Sequence, residues 1–497
     1  MKLGLVLEGI TSSSAAAVAD QNSIEISGLC CDSRQVKKGD MFFAVSGTKL
    51  DGVTFAKDAA AKGAAAVVAD ATVTGLSIPV ITVENTRLAM GVCARNFHRD
   101  PAAVLKVIGV TGTNGKSTTA YLIRHVLNTL GLRCGMLGTI ENDLGDEIQE
   151  AHLTTPESLD IFASLARMRD AGCRAAVMET SSHALYLDRV AAVDFDAAVL
   201  TNLTQDHLDF HKTMDQYRDA KTKLFANLGQ EATAVLNGAD AACKHFQSAT
   251  HANILRYGIG SNRQYPLSAQ VIQQSVGGTC FRLSFRRRTA DVDWKLVGRH
   301  NVENALAAVA AVMSLGVPLT DIAGALNTFA GVPGRLTRVD EGQDFGIFVD
   351  YAHTDDALKN ILTALRTLTQ GRIITVFGCG GDRDRGKRPK MGGVVEQMAD
   401  LPVVTSDNPR SENPVQIVAE ILRGMKFPQR ALVEIDRQTA IEKAIGLAKT
   451  GDVVVIAGKG HEDYQIFADR TIHFDDREVA AAAVQALGVA AAARKTA

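Results

Sequence analysis

Short apolar runs of strand length recur along the chain, and most end abruptly in polar or Gly-rich residues. Val104–Val110 leads into a Gly-rich loop, Ala175–Met178 into Glu179-Thr180-Ser181-Ser182-His183, and Ala197–Leu200 into Thr201-Asn202-Leu203-Thr204-Gln205-Asp206-His207. Between the first two, Ser117–Leu130 places Ile123, Val126, Leu127 and Leu130 on one stripe, which predicts a helix stopped by Gly131. A second set follows. Ile347–Val349, Arg372–Phe377, Leu401–Thr405 and Val453–Ala457 run into Asp350-Tyr351-Ala352-His353, Gly378–Arg385, Asp407-Asn408-Pro409-Arg410 and Gly458–Glu462. Open α/β sheets bind ligands beyond the carboxyl ends of their strands, so the charged and Gly-rich loops fall where two such sheets would place chemistry.

The chain before about residue 100 has a different texture, with polar turns (Asp32-Ser33-Arg34, Lys37-Lys38-Gly39-Asp40) beside short apolar runs at Met41–Val45 and Ala64–Ala69. Asp100-Pro101 marks a boundary, because a residue preceding proline is biased away from helix. A second boundary falls near Gly331-Val332-Pro333-Gly334. At 497 residues, and about 150 per domain, three α/β domains are expected: 1–100, 101–332 and 333–497. No solenoid-type repeat interrupts that plan.

Composition narrows the function classes. Hydrophobic residues make up 46% and charged residues 22%, which is globular rather than disordered. A formal net charge of −2 argues against a nucleic-acid partner. The eight cysteines form no CxxC pair or His/Cys cluster, so neither a disulfide framework nor a zinc site is indicated, and a reducing cytoplasm is the simplest location. The opening MKLGLVLEGI makes a poor signal peptide, and no apolar stretch reaches the ~18 residues needed to span a bilayer.

The Gly-rich loop carries the first chemistry. In GVTGTNGKS, Gly112 and Gly115 permit close backbone approach to a triphosphate, with Thr113 and Asn114 between them; Lys116 supplies a cation, and Ser117 with Thr118 opens the helix, Ser117 offering a hydroxyl to Mg²⁺. Five residues separate Gly109 from Gly115, where the common phosphate-loop string has four. A plain glycine turn between strand and helix is the alternative, and GK[ST] at the head of an amphipathic helix favours phosphate.

TGTNGKST resembles the Mur ligase family, which also includes folylpolyglutamate synthetases, and the resemblance runs over essentially the whole chain. It implies an N-terminal uridine-binding α/β domain, a central phosphate-loop mononucleotide-binding sheet and a C-terminal Rossmann-like sheet. It also implies an ATP-dependent, Mg²⁺-requiring ligase that joins an amine to a carboxylate through an acyl phosphate. Family counterparts of Glu179 and His207 ligate magnesium, and the counterpart of Lys221 reacts with CO₂ to give a carbamate, so catalytic Lys116, Glu179, His207 and Lys221 are expected. Read alone, Glu179 is equally a helix-cap carboxylate, His207 a structural histidine and Lys221 a solvated helix lysine. Asn301, Asn304, Arg335 and Asp350, with His353 close by, match the family's nucleotide motifs.

Within the family, Ser33, Thr48, Lys49, Leu50, Thr154, Thr155, Ser181 and Arg189 resemble contacts to UDP-N-acetylmuramoyl-L-alanyl-D-glutamate, while Leu187 stands where some relatives place a substrate-binding Gln. Asp407-Asn408-Pro409-Arg410, together with Arg383, Gly458 and Glu462, resembles a pocket that selects meso-diaminopimelate. A guanidinium can clamp the distal carboxylate that lysine lacks; the bland alternative is that Asp-Asn-Pro forms a turn. The partners implied are ATP, the UDP-linked dipeptide and the diamino acid. A monomer whose domains close over its substrates is the expectation. A lysine-adding relative and a regulatory phosphate-loop NTPase remain the alternatives.

Overall fold

The computed structural model describes residues 1–11, 23–46 and 51–496, with backbone only for 209 and 489–496. The strands are β1 (Gly28–Cys30), β2 (Asp40–Phe43), β3 (Ala66–Ala69), β4 (Val80–Thr82), β5 (Lys106–Thr111), β6 (Cys134–Leu137), β7 (Glu141–Asp143), β8 (Ile148–Glu150), β9 (Ala175–Glu179), β10 (Ala197–Leu200), β11 (Thr233–Asn237) and β12 (Asn253–Ile259). Then come β13 (Leu267–Ser275), β14 (Gly278–Phe285), β15 (Arg288–Trp294), β16 (Thr337–Arg338), β17 (Gly346–Asp350), β18 (Ile373–Phe377), β19 (Leu401–Val404), β20 (Leu432–Val433) and β21 (Val453–Ala457). The chain divides into two compact units. One holds Met1–Ala269, Leu283–Ala290 and Glu303–Leu326; the other holds Gln270–Arg282, Asp291–Val302 and Asn327–Ala497.

The first unit contains two sheets. The N-terminal one is wholly parallel, in the order β1-β2-β3-β4. Alternate residues point to opposite faces of a strand. Met41, Phe43, Ala66 and Val68 therefore fill one core, while Phe42, Ala44, Val67 and Ala69 fill the other. In the central sheet β12, β11, β10, β5, β9 and β6 pair in parallel in that order, and β7 and β8 continue antiparallel at the edge. Strand β5 lies between β9 and β10, where the connections diverge to opposite sides. The ligand crevice of an open α/β sheet therefore opens over the loops after β5, β9 and β10. The helix Lys116–Thr129 begins one residue earlier than the pattern indicates, because Gly115 rather than a polar cap precedes it, and Ile123, Val126 and Leu127 are its buried stripe.

The second unit is built on the sheet β16-β17-β21-β18-β19-β20, parallel except for β16. Val453, Val455 and Ala457 face one core and Val454 and Ile456 the other, so the strand reads as a continuous apolar run. This unit also takes 270–282 and 291–302, and its longest segment begins at Asn327. Strands β13–β15 alternate apolar with polar and charged residues and carry no continuous apolar run, which is why the pattern left them unassigned. All eight cysteines are free thiols. Among the described residues, no helix is long and apolar enough to cross a membrane.

One buried ion pair ties the loops of the second unit together. Arg437 and Asp476 are both fully buried and share hydrogen bonds of 2.8 and 2.7 Å, while the same guanidinium donates to Ser406 O at 3.2 Å and Ala457 O at 3.0 Å. It thereby ties the end of β21 to the chain just after β19, across the intervening β18. Replacing Arg437 by Met leaves a buried carboxylate unpaired, so the local opening free energy of β19 and β21 should fall by ~3–5 kcal/mol in native-state hydrogen exchange, with a substantial recovery in Arg437→Met/Asp476→Leu.

Candidate active site

The loop after β5 is held by the loop after β10. Thr113 N–H donates to Asn202 O at 2.9 Å, Asn114 N–H donates to Asn202 Oδ1 at 2.9 Å, and Thr201 Oγ1 donates to Asn114 O at 2.6 Å. Gly112 has φ +146, and a Cβ there would lie 1.9 Å from Thr201 Oγ1; Gly115 has φ +86, and its Cβ would lie 2.3 Å from Asn304 Oδ1. Both glycines are therefore required by position and by conformation. Thr113 Oγ1 bridges Thr204 O at 3.0 Å and the Tyr217 hydroxyl at 3.1 Å. Lys116 folds back, its ammonium donating to Gly112 O at 3.0 Å and Thr113 O at 2.8 Å. Behind it, Ser117 and Thr118 are buried in the first turn of the helix, whose leading N–H groups lack intrahelical acceptors. Such an end attracts phosphate.

Glu179 closes β9 and is fully buried. It accepts from Ser117 Oγ at 3.0 Å, from Thr139 N–H at 2.9 Å and from Thr139 Oγ1 at 3.1 Å. The 3.0 Å between the Ser117 and Glu179 oxygens is about the edge of an octahedron with ~2.1 Å bonds, so these two hard donors fit Mg²⁺. Among the described residues, no three His, Cys, Asp or Glu side chains gather closely enough to hold a metal ion by themselves. His207 belongs to a neighbouring cluster: it has φ +52, its ring lies 4.8 Å from that of His183, and its Nε2 is 3.4 Å from Asp206.

Lys221, on the helix Met214–Ala226, is only 1% exposed and has no carboxylate within 4.0 Å among the described residues. Its amine donates to Gly112 O at 2.9 Å and lies 4.7 Å from the Tyr217 ring centre. Burial, reinforced by the charge of Lys116, lowers its pKa well below the usual lysine value. The solvated-lysine alternative is thereby excluded.

The expected UDP-peptide residues divide. Thr155 Oγ1 donates to Glu179 O at 2.7 Å and accepts from Ser181 N–H at 3.0 Å, and Thr154 accepts from Thr139 at 3.1 Å, so three of them line the Glu179 loop. Ser181 caps the helix Ser182–Tyr186. Arg189 donates to Thr155 O at 3.0 Å and pairs with Glu157 at 2.9 Å, a carboxylate it shares with Arg87. Ser33 is half-buried, and its carbonyl accepts from Lys62 at 2.8 Å. Thr48, Lys49 and Leu50 lie outside the described residues.

In the second unit, the loops after β17, β18, β19 and β21 carry the other expected residues. Asp350 accepts from Leu336 N–H at 2.7 Å and Ala352 N–H at 2.8 Å; burial raises its pKa, while Arg335 opposes the rise. Arg335 lies over the Tyr351 ring, 5.2 Å from its centre. Exposed His353 holds Tyr351 O at 2.9 Å, and buried Asn301 donates to Val297 O at 2.8 Å. Arg410 has φ +50, its N–H donates to Ile466 O at 3.0 Å, and its guanidinium donates to Gly381 O at 2.9 Å. Asn408 Nδ2 donates to Glu462 Oε2 at 2.8 Å, joining the β19 and β21 loops. Gly458 has φ +121, and a Cβ would fall 2.5 Å from Asp407 Oδ2. Pro409 is buried, whereas Arg383 is exposed and bonds Asp382 O at 3.2 Å. Sequence reasoning passed over Thr201, Asn202, Thr139 and Lys459. The first two were legible as strand-end polar residues; the roles of Thr139 and Lys459 depend on pairings distant along the chain.

Comparison with known proteins covers these same loops. Residues 25–98 match the model "Mur ligase family, catalytic domain", 110–312 match "Mur ligase middle domain", and 334–460 match "Mur ligase, glutamate ligase domain". A protein of Syntrophomonas wolfei named UDP-N-acetylmuramoyl-L-alanyl-D-glutamate--2,6-diaminopimelate ligase is 46% identical over 92% of this chain and 94% of its own. A Bacillus cereus protein of the same name is 43% identical over 94% and 96%. A solved structure of a ligase with that name superposes with a TM-score of 0.75 at 33% identity, covering 98% of this chain and 99% of the other. The MurF ligase from Thermotoga maritima in complex with ADP shares the fold, with a TM-score of 0.59 at 20% identity over 87% and 94% of the two chains. Three matched segments that include the phosphate loop, Glu179, Lys221 and the Asp407–Arg410 loop, joined by full-length relatives, establish that this chain belongs to the Mur ligase family.

Proposed function

We propose that the protein is an ATP-dependent ligase that adds meso-2,6-diaminopimelate to the γ-carboxylate of the D-glutamate in UDP-N-acetylmuramoyl-L-alanyl-D-glutamate, a cytoplasmic step in making peptidoglycan precursors, carried out by a monomer. The amino-acid assignment is carried by the joined loops that present Arg410 and Glu462, a guanidinium for the distal carboxylate and a carboxylate for the distal ammonium. Relatives that bear the ligase's name at 43–46% identity support the same reading.

A γ-carboxylate oxygen attacks the γ-phosphorus of ATP, the bond to the ADP oxygen breaks, and an acyl phosphate forms. The amine of diaminopimelate then attacks the acyl carbon, loses a proton, and the tetrahedral intermediate expels phosphate. No protein nucleophile is required; positioning and charge neutralisation are. The N–H groups from Gly115 to Thr118, at the head of the helix, donate to the phosphate oxygens, those of Thr113 and Asn114 being held by Asn202, and the Lys116 ammonium turns from its two carbonyls toward them. Asn301, Asn304, Arg335 and Asp350 are assigned to the nucleotide. Ser33, Thr48, Lys49, Leu50, Thr154, Thr155, Ser181 and Arg189 are assigned to the UDP-peptide. Ser117, Glu179, His207 and carbamylated Lys221 would hold Mg²⁺, which would neutralise phosphoryl charge when bound. Burial favours that modification: a lowered pKa raises the share of neutral amine, whose lone pair adds to CO₂ with release of one proton.

Inorganic phosphate release measures the assignment. It should require the UDP-dipeptide and meso-diaminopimelate together; release without an acceptor, or with lysine in preference, refutes it. Arg410→Ala should raise KM for meso-diaminopimelate by ~30-fold or more, from a lost charge-assisted contact of ~2–5 kcal/mol, and leave ATP binding nearly unchanged. Equal losses for both substrates contradict the role given to Arg410.

Lys221 generates a separate pair of outcomes. Because its folded pKa is lowered, the unfolded chain binds more protons at this group between the lowered value and the usual 10.5, so the residue costs stability as pH falls through that window. Lys221→Met should abolish ligation while raising Tm by roughly 1–2 °C per kcal/mol regained in CO₂-free buffer, and by less at high pH. Wild-type enzyme with carbon-13-labelled bicarbonate should show a carbamate resonance that the variant lacks. A variant that is active, or less stable at every pH, contradicts this account.

A further inference from the structure

Lys459 is fully buried beneath the loop after β21, and neither the nucleotide nor the amino-acid assignments use it. An ammonium has three N–H donors, and all three are spent here: on Glu462 Oε2 at 3.1 Å, on Asn408 Oδ1 at 3.3 Å, and on Tyr464 O. Ile466 N–H donates to the same Asn408 oxygen at 3.0 Å. Two obligatory donors on one atom fix which end of the Asn408 amide is oxygen. The amide nitrogen must then donate to Glu462 Oε2, as it does at 2.8 Å. Glu462 Oε2 thus accepts twice. The side chain retains 15% exposure, and no described residue engages Oε1.

We propose that Lys459 is a positioning residue for amino-acid selection: it locks Glu462 through one carboxylate oxygen and leaves the other aimed at the distal ammonium of the substrate. Lys459 touches no substrate. It orients Asn408 and Glu462 before the amino acid arrives, so their rotamer entropy is spent on folding and not on binding. The inference rests on the amino-acid pocket proposed above and adds to it the device that makes the pocket preformed.

Steady-state kinetics on the full-length enzyme, varying each substrate separately, test it. Lys459→Met should raise KM for meso-diaminopimelate ~10–100-fold, the equivalent of a lost charged hydrogen bond, and leave KM for ATP, KM for the UDP-dipeptide and saturated kcat within about threefold. Lys459→Arg, which keeps the charge, should fall between it and the wild type. In Lys459→Met/Glu462→Gln the KM should be no higher than in Glu462→Gln alone, because one residue acts through the other. An unchanged KM for the diamino acid overturns the proposal. So do equal changes for all three substrates, or effects of the two substitutions that multiply. If Lys459→Met does not yield folded protein, Lys459→Arg decides by the same criterion, a rise confined to the amino-acid KM. Wild-type enzyme that uses lysine and rejects meso-diaminopimelate would refute the substrate assignment separately. The Lys459 comparison would then be read with lysine, whose distal ammonium is the same group.

Discussion

A missing methyl group holds the central site in shape. At Gly112 a Cβ would stand 1.9 Å from Thr201 Oγ1, and the hydroxyl instead reaches past it to Asn114 O. That contact, with Asn202 on both sides of Asn114, fixes the loop's backbone to the neighbouring strand end before any ligand is present. The N–H groups at the head of the helix are consequently aimed outward at no further entropic cost. Ser117 is delivered within hydrogen-bond reach of Glu179, and the Gly112 carbonyl becomes the acceptor that receives Lys221. Remove the fit at Gly112, and the phosphate cradle, the pair of hard oxygen donors and the buried amine all lose their common reference point.

The second unit solves a similar problem with charge. Its sheet is apolar on both faces, and polar residues gather at the carboxyl ends of the strands. Arg437 pins Ser406 and Ala457, the residues immediately before Asp407 and Gly458, while Lys459 pins Asn408 to Glu462. Two buried cations therefore hold two loops in register. Burying such groups costs several kcal/mol of solvation each and is tolerated because four Arg437 N–H groups and all three of Lys459 find an oxygen. The result is a rigid frame around Arg410, whose left-handed backbone turns its guanidinium toward Gly381 O.

Much of this was legible in the amino-acid order. Apolar runs that stop at Glu179, Thr201, Asp350, Asp407 and Gly458 gave away the strands and their functional ends, because a buried parallel strand has no polar face to dilute the pattern. Helix Lys116–Thr129 was readable from its stripe. What was not readable depends on residues far apart in sequence. Thr139 and Glu179 are neighbours only because β6 and β9 pair, and the burial of Lys221 follows from the packing of its helix on the loop, since Lys223 two positions away is exposed to solvent and pairs with Asp188. Arg189 illustrates the converse. The family resemblance places it at the UDP-peptide, and in the fold it also pairs with Glu157, which the sequence pattern does not show.

The most direct measurement of the central claim follows oxygen and mass together. The enzyme is given ATP, meso-diaminopimelate and UDP-N-acetylmuramoyl-L-alanyl-D-glutamate whose γ-carboxylate carries heavy oxygen, and products are identified by mass spectrometry. An acyl-phosphate ligase yields a UDP-linked tripeptide heavier by one diaminopimelyl residue, with one heavy oxygen carried into inorganic phosphate. Phosphate without label, or ATP consumed with no new amide, would contradict the account.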